Sequence, residues 1–182
     1  MRPLFTIHAG EYLVGSAIER RFPKARVWVP SKDTGIDLLI TNWGCSRSVS
    51  LQVKFSKDYL GNNANTELAA GVKSGGWWTF ELSKILASAA DYWVLALYRF
   101  QDGGFDFVVI EPKKLAAMYS TVFPGATRIQ SYVWVTSKDK CWEVRGLKKV
   151  DQRAVAAGSF RSKTRDLSGR LNNWDALKSL NQ

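Results

Sequence analysis

The chain has 182 residues, of which 46% are apolar, enough for one compact domain with a buried core and too many for a disordered chain. Lysine and arginine outnumber aspartate and glutamate by 26 to 16, a formal excess of +10 that attracts polyanions without specifying any sequence. No run of about 18 apolar residues offers a membrane span, and two cysteines with a single histidine argue against a structural zinc site.

Nucleic acid is the natural partner for such a charge, although ribosomal contacts, anionic lipid or simple solubility would produce the same balance. The N-terminal MRPLFTIHAGEY lacks a basic segment followed by an apolar one, so no signal peptide is expected and the cytoplasm is the expected compartment, with Cys45 and Cys141 as reduced thiols.

His8 to Phe22 reads as a helix, with Glu11, Val14, Gly15, Ile18 and Phe22 on one face and Glu19, Arg20 and Arg21 mostly turned to water, ended by Pro23. Glu11 ends the apolar stripe. A glutamate in a first turn ordinarily compensates the helix dipole, but its apolar company makes this one a candidate ligand. His8 reads as a cap or surface residue. Ala25 to Val29 is a short strand, and residues 30–34 turn into a strand where Ile36, Leu38, Leu39 and Ile40 surround Asp37 and predict its burial. Asp33, in a polar turn, reads as a cap for backbone amides.

The next strand ends in Gln52, Val53 and Lys54. Alternation turns Gln52 and Lys54 to one face and Val53 to the other. With the small polar turn around Asn42 to Arg47 folding the two strands into an antiparallel hairpin, Asp37 lies across from the Gln52/Lys54 face. A buried carboxylate beside an amide and an ammonium is costly without compensation, and a divalent cation is the usual compensation. Mg²⁺ takes oxygen ligands, which Asp37 and the Gln52 side-chain carbonyl can supply. Protonated Lys54 cannot ligate; it is placed to orient or activate a water, or to face charge developing on a phosphate.

Glu11 in an N-terminal helix, Asp37 in TGIDLL, and Gln52-Val53-Lys54 at the end of the next strand together resemble the PD-(D/E)XK nuclease superfamily, particularly the Mrr-type restriction-endonuclease branch in which the second acidic position is glutamine. The resemblance spans roughly the first 55 to 100 residues and rests on short motifs. It implies an α/β (α+β mixed) fold, with a central mixed sheet flanked by helices, and Mg²⁺-dependent phosphodiester cleavage with Mn²⁺ as an expected substitute. It implies metal ligands at Asp37, Gln52, Glu11 and the Val53 carbonyl, with Asp37, Gln52, Lys54 and Glu11 as the catalytic set. The chain departs from the pattern twice. Gln52 removes one negative charge, which Glu11 would have to supply, and Ile36 stands before Asp37 where the motif has proline.

After Lys54, the segment through Gly76 reads as a long loop, either an arm holding Lys57 and Lys73 near phosphates or a connector with no role. Trp77, Trp78 and Phe80 follow; the two tryptophans could stack on bases, but an aromatic cluster beside a helix more often packs in the core. A helix follows over Leu82 to Ala90. Tyr92 to Phe100 and Phe105 to Ile110 form the clearest hairpin, and weak alternation in the first strand predicts cover on both faces and a place at the centre of the sheet. Pro112 opens a helix through about Tyr119. Gln130 to Thr136 and Lys140 to Arg145 make a second hairpin.

From Arg145 the chain turns basic. Arg145, Lys148, Lys149, Arg153, Arg161, Lys163 and Arg165 form either a phosphate-contacting strip or a solvated tail, and a short helix over Asn172 to Leu180 turns Trp174 and Leu177 inward. The expected organisation is a nuclease-like domain over residues 1–145 with a basic segment, 146–182, packed on it. The expected function is a metal-dependent endodeoxyribonuclease of restriction, repair or junction-resolving type, acting on DNA with RNA left open. Cutting both strands with one site per chain would require a homodimer. The alternatives are a catalytically inactive nuclease-like module that holds nucleic acid, and a structural protein whose charge is incidental.

Overall fold

The computed structural model describes residues 9–32, 34–56, 66–99 and 102–181. Along the chain run α1 (Ala9–Arg21), β1 (Arg26–Trp28), β2 (Leu38–Thr41), β3 (Ser48–Ser56), α2 (Thr66–Gly71), β4 (Val72–Glu81), α3 (Leu82–Leu86), β5 (Tyr92–Tyr98) and β6 (Phe105–Ile110). Then follow α4 (Pro112–Val122), β7 (Arg128–Thr136), β8 (Cys141–Glu143), α5 (Lys149–Ala157) and α6 (Asp175–Lys178).

These elements form an α+β fold with a mixed sheet, the class expected. One sheet has the order β1-β2-β3-β5-β6; β3 and β5 run parallel, and the other neighbours antiparallel. A second, antiparallel sheet has the order β4-β7-β8. β3 holds the centre of the first sheet. β5 is buried on both faces as its weak alternation predicts, but it lies one strand further over.

Alternation decides which side each apolar residue covers. Leu38, Ile40, Leu51 and Val53 join Val14 and Ile18 of α1 in one buried layer, which Trp174 and Leu177 complete from the C-terminal segment. Both of those residues are buried, as their helical spacing predicts. On the other face of the sheet, Trp93, Leu95 and Val108 meet Trp78, Phe80 and Val133 of the second sheet, with Leu115 and Tyr119 of α4. A third layer packs Val155 of α5 on Val72, Trp134 and Trp142. Burying a large apolar side chain contributes about 1.5–3 kcal/mol, so these layers fix the strand ends that carry the candidate site.

Three expectations change. The stretch expected to be a loop through Gly76 contains α2 and the start of β4, which pairs with β7 as far as Glu81 and Arg128; residues 57–65 lie outside the described residues. The strand was hidden because its alternation is carried by glycines. A Cβ on Gly76 would come within 2.3 Å of the Trp78 ring, so the missing side chain makes room for the indole. The helix expected over Leu82 to Ala90 is only Leu82–Leu86. The basic tail contains α5, stopped by Gly158 at φ +77°, a left-handed conformation that glycine adopts without a Cβ penalty. Among the described residues no helix is long and apolar enough to cross a membrane.

Candidate active site

The β2–β3 hairpin runs in a register that pairs Leu38 with Leu51 and Thr41 with Ser48. Continued by one residue, it sets Asp37 directly opposite Gln52. Asp37 stands just before β2, and there its side chain takes over the ladder. Its backbone N–H donates to the Leu51 carbonyl at 2.9 Å, and its Oδ2 accepts the Val53 N–H at 2.6 Å. The carboxylate therefore occupies the place of the next strand carbonyl, half-buried at the point where β2 leaves β3. Along a strand, N–H and C=O of one residue point to the same side, so the Val53 carbonyl is turned toward this end of β2 as well.

Leu51 and Val53 pack toward α1, so Gln52 and Lys54 project from the opposite face. Both are half-buried, and both line a cleft of about 580 Å³ with Thr34, Gly35, Trp78 and Trp93. Gly35 adopts φ +81°, and a Cβ there would stand 4.0 Å from the Gln52 amide nitrogen. The turn thus brings bare backbone up to the glutamine. The Lys54 ammonium sits 5.4 Å from the centre of the Trp93 ring, and the Lys54 carbonyl accepts the Trp78 indole N–H at 3.2 Å. Both tryptophans are buried. They form the floor of the cleft, which favours the core role for Trp78 over base stacking.

Glu11 is half-buried in the first turn of α1. Its neighbour Gly10 touches β3 closely: a Cβ on Gly10 would lie 2.4 Å from the Phe55 Cβ. That contact docks the first turn of α1 one residue beyond Lys54, on the Phe55 side of the strand. The structure thus brings Asp37, Gln52, Val53 and Lys54 together at one end of the hairpin, while the Glu11 turn docks at Phe55 on the sheet face opposite Gln52 and Lys54.

Two cations not anticipated in the sequence join the cleft wall, Lys84 of α3 and Arg128 at the start of β7. Arg128 pairs in register with Glu81, and Lys84 lies 3.1 Å from the same glutamate. Only the β4–β7 register reveals this pairing, and β4 was not legible as a strand. The Lys84–Glu81 ion pair is well exposed, and such pairs contribute about 0.3–0.5 kcal/mol, so exchanging the glutamate for a phosphate is cheap.

The cations expected to contact nucleic acid are placed elsewhere. Lys73 is held by Asp106 at 3.3 Å and Asp139 at 2.9 Å. Partial burial lowers its ammonium pKa, but the hydrogen bond to Asp139 and the attraction of Asp106 outweigh that and leave it raised. Lys148 and Lys149 lie exposed at the start of α5, and Arg161 turns its guanidinium onto the Gly158 and Phe160 carbonyls. Lys163 lines a second cleft of about 320 Å³ with Lys114 and Arg170. None of these lines the Gln52–Lys54 cleft. Lys57, like His8 and Asp33, falls outside the described residues.

Two acids lie deep in the protein away from this cleft. Glu143 accepts the Ser131 hydroxyl, which in turn accepts the Tyr119 hydroxyl at 2.8 Å. Burial pushes the Glu143 carboxyl up, against hydrogen bonds from Ser131, Arg145 and Tyr132 that lower it. Asp106 is enclosed by Arg99 at 2.9 Å, Ser74 at 2.9 Å and Lys73. Both are satisfied in the packing, and neither lines either of these two clefts. Among the described residues, no three His, Cys, Asp or Glu side chains gather as a metal cage. No known protein family, curated protein or solved structure matches the chain.

Proposed function

We propose that the protein is a metal-dependent nuclease whose site is the Asp37–Gln52–Lys54 end of the β2–β3 hairpin, acting on DNA. The observation that carries this is the register, which sets a carboxylate opposite an amide, with an ammonium two residues beyond the amide on the same face; the amide and the ammonium line an open cleft. The donors suit Mg²⁺: Asp37, the Gln52 side-chain carbonyl and the Val53 carbonyl are all hard oxygens, and Mg²⁺ is commonly held by one or two carboxylates while keeping several waters. Glu11, at the adjoining end of α1, is the second carboxylate. When bound, the ion supplies Lewis acidity toward a phosphate oxygen and lowers the pKa of a coordinated water.

The chain's own residues do the rest. Lys54, resting against the Trp93 ring, orients the attacking water and faces the charge that develops on the phosphate. Lys84 and Arg128 hold the flanking phosphates at the cleft wall. The formal excess of +10 steers a polyanion toward them.

A second reading is favoured by one observation. Glutamine at position 52 leaves Asp37 as the lone carboxylate between the paired strands, which suits a nuclease-like module that holds nucleic acid without cutting it. Plasmid incubated with Mg²⁺, Mn²⁺ or EDTA separates the two. Nicking that needs the ion and is lost in Asp37→Asn and Lys54→Ala supports the nuclease. Intact plasmid with strong, salt-sensitive binding supports the module.

A further inference from the structure

We propose that the sheet face beside the cleft is a stacking surface for unpaired bases, so that the nucleic acid taken by this site carries a single-stranded segment. The inference rests on nucleic acid being the ligand proposed above and specifies its form. Val27 packs toward α1, so alternation turns Arg26 and Trp28 to the opposite face, the one that carries Gln52 and Lys54. The second sheet covers that face over β5 and β6 but leaves it open over β1 and β2. There Trp28 is 46% exposed and Trp43, in the β2–β3 turn, is 65% exposed.

Both rings are held in place. The Trp28 indole N–H donates to the Thr41 hydroxyl at 3.0 Å, and Thr41 is buried. The Arg26 guanidinium lies 4.1 Å over the Trp43 ring and covers one of its faces. The other face is left to solvent. Leaving these two large indoles in water forgoes the burial that five of the eight tryptophans reach. A rigid aromatic platform with a stacked guanidinium, with the exposed cations Lys24, Lys32 and Arg47 close by in the chain, has the chemistry that receives a base and its phosphate.

Away from a duplex end, only an unpaired base offers its face to such a ring, since a duplex stacks both faces of each internal base on its neighbours. Trp28 pairs with Leu39 and Leu39 with Ser50, two residues before Gln52. With strands about 4.8 Å apart and a rise of about 3.3 Å per residue, the backbone at Trp28 lies about 12 Å from that at Gln52. A strand stacked at about 3.4 Å per nucleotide covers that distance in about four nucleotides.

The test is fluorescence anisotropy in EDTA, so that no cleavage intervenes, using a labelled oligothymidine and a sugar-phosphate oligomer of the same length that lacks bases. The wild type is expected to bind the oligothymidine roughly tenfold tighter or more. Trp43→Ala should lose most of that preference while keeping its affinity for the abasic strand, and Trp43→Phe should restore it. Equal binding of both strands by the wild type, or an undiminished preference in Trp43→Ala, overturns the proposal. Binding without base preference but with a steep salt dependence sinks the stacking surface and leaves the nuclease standing; no binding to either strand sinks both.

Discussion

Asp37 has two duties that a pair of substitutions can separate. Its Oδ2 accepts the Val53 N–H at 2.6 Å, and the same carboxylate is the proposed anchor for Mg²⁺. Asp37→Ala leaves that N–H without its acceptor at a half-buried strand end. A hydrogen bond to a charged group contributes about 1.5–3 kcal/mol, and partial exposure reduces the loss to about 1–2 kcal/mol. For a chain of this size that lowers Tm by about 2–8 °C. Asp37→Asn keeps a carbonyl oxygen for Val53 and removes only the charge, so its melting point should stay within about 2 °C of wild type. Cleavage should fall on the order of 10³-fold in both, because the several kcal/mol of charge stabilisation at the phosphate go with the ion. The assay is plasmid nicking in Mg²⁺ beside thermal melts of all three proteins. An Asn variant that melts like wild type and still cuts at the wild-type rate refutes the nuclease assignment. An Ala variant that melts like wild type refutes the structural role of the Val53 bond.

Lys84→Ala and Arg128→Ala should each weaken DNA binding in the absence of metal and reduce the salt slope by about 1, measured by anisotropy across a salt series; slopes equal to wild type would remove both residues from the interface. Glu143 tests the buried network through pH. Its folded pKa is raised above the ordinary 4.5, so its contribution to stability is fully present below that value and is lost as pH rises through the folded pKa. Glu143→Gln, which mimics the protonated acid, should flatten this decline in urea melts taken from pH 4 upward, whereas an unchanged slope assigns the decline to other groups. Gly10→Ala drives a methyl into the Phe55 Cβ, an overpacking expected to cost about 1–3 kcal/mol, and it should lower Tm and cleavage together if the α1 turn supplies Glu11 to the site. Full activity in a destabilised Gly10→Ala protein would detach Glu11 from the chemistry.

The sequence was most readable where alternation and burial agree. Asp37 among Ile36, Leu38 and Leu39, and the out-in-out order of Gln52, Val53 and Lys54, define two strands and their faces before any pairing is known, and the hairpin register then follows from the small turn between them. The inward turns of Trp174 and Leu177 were legible for the same reason. β4 was not, because Gly75 and Gly76 stand where a strand would show side chains, and the bare Gly76 makes room for Trp78 further along. That omission concealed the cleft wall. Arg128 and Lys84 become neighbours of the site only through the pairing of Glu81 with Arg128. Basic residues were the least informative: Lys73 carries the same charge as Lys54, yet Asp106 and Asp139 commit it to the fold. Charge counts say nothing about which cations already have carboxylate partners.

That division between committed and exposed charge bears on the proposed chemistry. Asp106 and Glu143 are buried, and each is matched by several donors, so neither can take a new ligand without breaking the packing around it. Lys54, Lys84 and Arg128 instead border an open cleft, where the exposed Lys84–Glu81 ion pair is held weakly. A polyanion entering the cleft therefore meets cations that reorient at little cost, set on strands and a helix anchored in the core by Phe80, Ile85, Trp93 and Ile129. A preorganised floor with adaptable walls is what phosphoryl transfer requires, since its transition state differs from its ground state mainly in where negative charge lies. The same arrangement explains why Asp37 is tied to the Val53 amide: a carboxylate fixed by a backbone bond keeps its position when the charge beside it changes.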